Sequence, residues 1–257
     1  GISANNGPRI SAEHLHRRLF GSRATMRNQF EVGRVRQAWE GELSSHTQPG
    51  LYRNLIGGTA ERLESDTDRV ISLRMRIGRA YETQRAERLT FVELERALVR
   101  PFATALQPTP VDSDTIAASL NQHGVWRDVD SVILPTLGRS FALQGGLGGV
   151  HSNGGALASG GFARLHARLQ LWRPLGADWY GQARLELGQV FARLGVNVPE
   201  SQRFRAGGDD SVRGYAFRSL TPQVDGVDIG GRVVATASVE VAHPISARLP
   251  NVWWAAF

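Results

Sequence analysis

The residues best suited to chemistry lie in one stretch, Arg203-Phe204-Arg205-Ala206-Gly207-Gly208-Asp209-Asp210-Ser211-Val212-Arg213-Gly214-Tyr215. Arg213 stands alone between small and aromatic residues, so the stretch reads as a device for placing one guanidinium. Such a cation inside a protein needs a counter-charge, because an unpaired buried charge is costly. Glu240 is the best candidate, on the polar face of the alternating segment Ser238-Val239-Glu240-Val241. Gly207, Gly208 and Gly214 suit sharp backbone bends or close packing. Tyr215 offers a ring to stack on a wall and a hydroxyl to donate.

Other chemistries fail on spacing. Gly207-Gly208-Asp209-Asp210 lacks the helix of a phosphate loop and the regular carboxylate spacing of a calcium loop. His14 and His16 share one strand face, but a metal site needs a third ligand and none is evident. The 7 His and the scattered Ser form no readable nucleophile–base–acid arrangement, so no catalytic site is expected. With 0 Cys, a disulfide framework and a thiolate metal site are both excluded.

The elements that must position this loop read as strands. Ile71, Leu73, Met75 and Ile77 share one face, and Ser72, Arg74, Arg76 and Gly78 the other. In the clearest segment, Phe162 to Trp172, Ala163, Leu165, Ala167, Leu169 and Leu171 alternate with Arg164, His166, Arg168 and Gln170. Alternation of this kind is the signature of a strand with one apolar face. Further strands are expected at 8–18, 24–33, 35–46, 51–63, 114–126, 131–147, 179–193 and 232–241. The segment 87–99 is rich in helix formers, yet a strand there would set Glu93 and Glu95 across a ladder from Arg74 and Arg76. Asn6-Gly7 is a hairpin signal, and Pro101 to Pro110 reads as loop.

About a dozen strands of even spacing mean an antiparallel barrel or sandwich. No apolar run reaches the roughly 18 to 20 residues of a membrane helix, but membrane strands hide their apolar residues at alternate positions. Two features favour a transmembrane β-barrel. The apolar faces are small or aliphatic, and Trp172, Trp179, Trp253 and Trp254 lie at strand ends, where an aromatic girdle sits. Charges are hydrated and paired in a wet lumen. The 30 basic residues are all Arg and the net charge is +6, but they are spread along the chain, which argues against nucleic acid as a partner. Both ends read as cuts through structure, so a piece of a longer protein is expected.

Arg203-Phe204-x-Ala206-Gly207-Gly208-Asp209-x-Ser211-Val212-Arg213-Gly214-Tyr215, followed by Ser219-x-x-Pro222, resembles the signature of the BamA-like outer-membrane assembly superfamily. Within it the stretch is most similar to the TamA branch. Gly7-Pro8-Arg9 and the closing run Val252 to Phe257 agree with that branch. The resemblance implies a sixteen-stranded barrel of the bacterial outer membrane, in Gram-negative cells, preceded by periplasmic POTRA domains. Residues 1–257 would be an incomplete barrel domain of about 12–13 strands, without the POTRA domains and the final strands. Eleven strands precede the loop, where the family's inward-folding loop belongs.

By the same resemblance, the loop residues Gly207, Gly208, Asp209, Ser211, Val212, Arg213, Gly214 and Tyr215 would brace the barrel. Arg213 would contact Glu240 and a second acidic residue just past Phe257. The implied function is insertion of β-barrel proteins such as autotransporters, without nucleotide or cofactor. The implied partners are outer-membrane lipid, unfolded clients and an inner-membrane-anchored TamB-like protein. Alternatives are a two-partner secretion transporter, a passive porin, or a soluble β-barrel binding module. The face of the 162–172 strand that points inward separates the membrane barrel from the soluble one.

Overall fold

The structure, a computed structural model, describes all residues except 1, 4–6, 65–67, 104–111, 154–157, 177, 209–210, 216–218, 225–226, 247–248 and 257. The chain folds into β1 (Ile2–Ser3), β2 (Gly7–His16), β3 (Thr25–Gly33), β4 (Arg36–Ser44), β5 (Tyr52–Glu64), β6 (Asp68–Glu82) and β7 (Ala86–Pro101). There follow β8 (Ser113–Val129), β9 (Gly138–Asn153), β10 (Gly160–Gly176), β11 (Trp179–Ala192), β12 (Gln223–Val224), β13 (Val227–Asp228), β14 (Val233–Ser246) and β15 (Leu249–Ala256). A 13-stranded sheet runs in the order β1-β2-β3-β4-β5-β6-β7-β8-β9-β10-β11-β14-β15, and β12 and β13 form a separate 2-stranded sheet. Every pairing in the large sheet is antiparallel, and all but β11 with β14, which skips the separate pair β12–β13, join sequence neighbours, the up-and-down arrangement of a barrel wall.

The segment rich in helix formers is strand β7. Its register sets Arg74 opposite Glu95 and Arg76 opposite Glu93, so cross-strand charge and burial override local helix propensity. The expected strand at 131–147 begins instead at Gly138. Asp130 takes the preceding residues out of the ladder. Its carboxylate accepts the amides of Ser131, Thr136 and Leu137 and the hydroxyl of Thr136. Those bonds hold the carboxyl down at about 2. The Asn5-Asn6 turn, most of the 101–110 loop and the Gly154-Gly155 connection lie outside the described residues.

The two faces of the sheet differ completely. One register row crosses seven strands as Ile56, Ile77, Val92, Leu120, Leu147, Ala163 and Phe191. Its large side chains are bare, with Ile77 at 63% and Leu147 at 67% exposure. On β8 the other face buries Thr115, Ala117, Ser119 and Asn121. Burial therefore follows the polar face, the reverse of a soluble barrel.

Girdle positions along the apolar face give the strand tilt. Tyr52 lies four residues from the row on β5, Trp126 six on β8, and Trp179 twelve on β11. This drift is about 1.3 residues per strand, or a tilt of about 40° at ~3.3 Å per residue and ~4.8 Å between strands. Membrane barrels tilt by about 35–45°. On β6 the apolar residues Ile71, Leu73, Met75 and Ile77 lie between Arg69 and Arg79 on the same face. The ten residue steps from Arg69 to Arg79, tilted, measure about 25 Å along the barrel axis, the height of a lipid-facing band.

Trp179 packs against His243 and Trp254 at centroid distances of 4.8 and 5.2 Å, and Tyr52 against Tyr81 at 5.4 Å. Trp126 stacks on Phe141 at 5.9 Å. Trp172 is a correction to the expected girdle. Alternation puts it on the polar face, paired with Gln182 and Gly138, because parity decides the face and nearness to a strand end does not.

Candidate functional site

The segment 193–232 joins β11 to β14 and lies against the polar face. Its root is buried. Val196, Val198 and Phe204 pack with Ala117, Val150, Phe162 and Val190 of the wall, and Val198 is 1% exposed. Gly188 makes room for Phe204. A Cβ at Gly188 would lie 2.5 Å from the Phe204 Cζ, so no larger residue fits without displacing the ring. The Arg164 guanidinium lies 4.6 Å above that ring, and its Nε donates to the Gln202 carbonyl at 3.1 Å.

The root also reaches the wall through polar groups. The Ser201 hydroxyl donates to Glu95, the Gln202 amide to Glu93 at 3.2 Å, and the Asn197 amide to Ser113 at 2.9 Å. Glu200 ties the loop to itself. Its carboxylate receives Arg203 at 3.3 Å, Arg205 at 2.9 Å and the Gly230 amide at 3.0 Å. Arg232 donates to the carbonyls of Ala192, Arg193 and Val196, closing the neck of the loop. Bridges between Phe204 and Gly231 and between Ala206 and Leu220 zip the arms above it.

At the tip, Arg213 Nη1 donates to Glu240 Oε2 at 2.5 Å. Arg184, one strand away on β11, donates to the Ser211 carbonyl at 2.7 Å. The turn between is closed by the Gly208 amide on the Val212 carbonyl and the Ser211 amide on the Gly208 carbonyl. Gly207, Gly208 and Gly214 have φ of 108°, 101° and 88°, a region that disfavours any side chain. Tyr215 is 55% exposed, so the wall does not cover most of its ring. Asp209 lies outside the described residues.

The decisive strand is β10. Arg164 and Arg168 point to the loop side, Arg164 toward Gln202 and Arg168 toward Glu186 at 3.4 Å, while Leu165 stands 48% exposed on the opposite face. His166 meets the same Glu186 at 2.7 Å. Arg36 with Glu31 and Glu61, Arg74 with Glu61, and Arg76 with Glu42 continue the charged lining. Among the described residues no cluster of His, Asp or Glu is placed to hold a metal ion.

A family model described as the Omp85 superfamily domain matches residues 71–257. The chain belongs to the Omp85 superfamily. Among solved structures it is similar to the crystal structure of BamA from Haemophilus ducreyi lacking POTRA domains 1–3. The TM-score is 0.74 at 14% identity, over 94% of this chain and 51% of that one. The chain thus spans about half the length of that structure, and the likeness establishes the barrel fold. It also aligns with OmpT of Vibrio cholerae at 11% identity over 91% of this chain and 62% of that one, but a TM-score of 0.42 carries no argument.

The Omp85 match takes in the wall from β6 onward and the whole of the loop. Several residues that hold this Omp85 loop are not evident as site residues in the sequence: Glu93, Glu95, Arg164, Arg184, Gly188 and Glu200. One signal for them was present. Gly188 interrupts the polar face of β11 between Glu186 and Val190, and a glycine inside a strand marks the close approach of another group.

Proposed function

We propose that this Omp85 barrel is the membrane part of an outer-membrane protein assembly or translocation factor, of the TamA branch. It would act on unfolded β-barrel clients such as autotransporters. The observation that carries the reading is the loop on the polar face of an outward-apolar wall, with Arg213 on Glu240 at its tip. A passive porin has no need of a loop gripped by Glu93, Glu95, Arg164, Arg184 and Glu240 at once. Arg213, Gly214, Tyr215 and Val212 with Glu240 are the lock in this account, and Gly207, Gly208, Asp209 and Ser211 shape its backbone. POTRA domains belong to the same reading, by analogy with those named for the BamA structure, and a TamB-like partner belongs to the TamA resemblance alone. The barrel would brace itself through the loop while a client strand is handled elsewhere on the wall.

The test uses the full-length protein in a cellular assay of client assembly. Arg205 is not a neutral comparison for Arg213, since it is bonded to Glu200. Arg17, exposed in the connection after β2, is neutral. Arg213→Ala is expected to lower assembly of an autotransporter client several-fold at an unchanged barrel level, and Arg17→Ala to leave it intact. Equal activity of the two variants contradicts the lock. Loss of export of a soluble secreted partner, with autotransporters unaffected, identifies a two-partner secretion transporter instead.

A further inference from the structure

The lipid-facing side has two rims, and their Arg residues are treated differently. At the rim on the loop side, acids neutralise the outward Arg of β5, β6 and β7. Glu64 receives Arg62 at 2.6 Å and Arg69 at 3.0 Å, Asp114 receives Arg96 at 2.8 Å, and Asp112 receives Arg100 at 3.3 Å. At the opposite rim, which carries the connections 83–85 and 130–137, the outward Arg of the strands are Arg79, Arg88, Arg139 and Arg173. All four are exposed, and among the described residues none of them is in an ion pair. Arg79 is held by neutral groups, the Asn54 carbonyl at 3.1 Å and the face of Tyr52 at 5.6 Å. Asp128, across the ladder from Arg139, is the acidic neighbour on this side.

The four line one rim of the apolar face. Counted from the central register row they are two residues out on β6, four on β7, eight on β9 and ten on β10, which, set against the strand tilt, spreads them over about 7 Å along the barrel axis, at ~3.3 Å per residue. Tyr52, Tyr81, Trp126, Phe141 and Trp179 line the same rim, with Tyr81 two residues from Arg79 and Phe141 two residues from Arg139. Aromatic rings of this kind sit at the headgroup boundary, and an Arg there extends its guanidinium into the headgroup layer. A guanidinium donates two parallel hydrogen bonds to a phosphate.

We propose that Arg79, Arg88, Arg139 and Arg173 form a headgroup-binding ring that selects anionic phospholipid in the leaflet at the rim opposite the loop. The inference rests on the membrane-barrel reading. Charge complementarity names the occupant: four cations that form no ion pair among the described residues at one rim, against the four paired cations of β5, β6 and β7 at the other.

The test reconstitutes the full-length protein in phosphatidylcholine vesicles with or without phosphatidylglycerol. Competition between brominated forms of the two lipids, read by quenching of tryptophan fluorescence, gives their relative affinity for the barrel surface. The wild type is expected to prefer phosphatidylglycerol roughly fivefold, a conservative figure for a few headgroup-level Arg. The variant R79Q/R88Q/R139Q/R173Q is expected to fall to no preference. R62Q/R69Q/R96Q/R100Q, at the other rim, is expected to keep it. The single variant Arg88→Gln serves if the fourfold one fails to fold, and is expected to weaken the preference measurably. A wild type without preference, or equal loss at both rims, overturns the ring. Failure to insert into either vesicle contradicts the membrane reading itself.

Discussion

Leu120→Arg is expected to destabilise the folded barrel in lipid by about 2–4 kcal/mol, the cost of an arginine at the midplane of a membrane strand. Leu120 is on the exposed apolar row, six residues from Asp114 at one rim and six from Trp126 at the other. A guanidinium there reaches neither rim easily. The same change on a soluble barrel with an exposed Leu120 would cost close to nothing. Gln170→Arg, on the polar face of β10, is the comparison, and its effect is expected to stay under about 1 kcal/mol. Urea titrations of barrels folded in vesicles measure both. Equal stability of the two variants contradicts the assignment of faces.

Phe204→Ala is expected to weaken docking of the loop by about 3 kcal/mol, in the range for removing a buried Phe side chain. Phe204 is 7% exposed, covers Gly188 and carries Arg164 on its ring. Arg213→Ala is expected to cost only about 1 kcal/mol, because that ion pair is partly open to solvent, with side-chain exposures of 36% and 26%. The root therefore supplies the holding energy, and the tip supplies whatever the loop does. Hydrogen exchange of the amides at 196–204 separates the two. Phe204→Ala is expected to speed it by roughly a hundredfold, Phe204→Leu by much less, and Arg213→Ala by less than about tenfold. The reverse order would place the anchor at the tip.

Much of this was legible in the sequence because the alternation of a strand is local. Ile71 to Ile77 and Ala163 to Leu171 declare their faces within a few residues, and eleven strands could be counted before the loop. Glu240 was legible for the same reason, as a polar-face residue of the strand after the loop. Trp172 was misread where its position near a strand end was weighed above its parity. The root of the loop was not legible. Ser201 and Glu95 are separated by 106 residues and Gln202 and Glu93 by 109, so their meeting depends on how the wall curves between β7 and β11. Glu93 and Glu95 were visible only as partners of Arg74 and Arg76. In the structure Glu95 also takes the Ser201 hydroxyl, and Arg74 bonds Glu61.

The central claim is that the apolar face meets lipid while the polar face holds the loop. Since the chain has 0 Cys, single cysteines can be placed along β10 and spin-labelled in the reconstituted protein. Labels at Leu165 and Leu169 are expected to collide with oxygen and to be shielded from a water-soluble nickel complex, and a label at Gln170 to show the opposite. If Leu165 and Leu169 are shielded from both reagents as core residues while Gln170 is open to water, the barrel is a soluble one and the account fails.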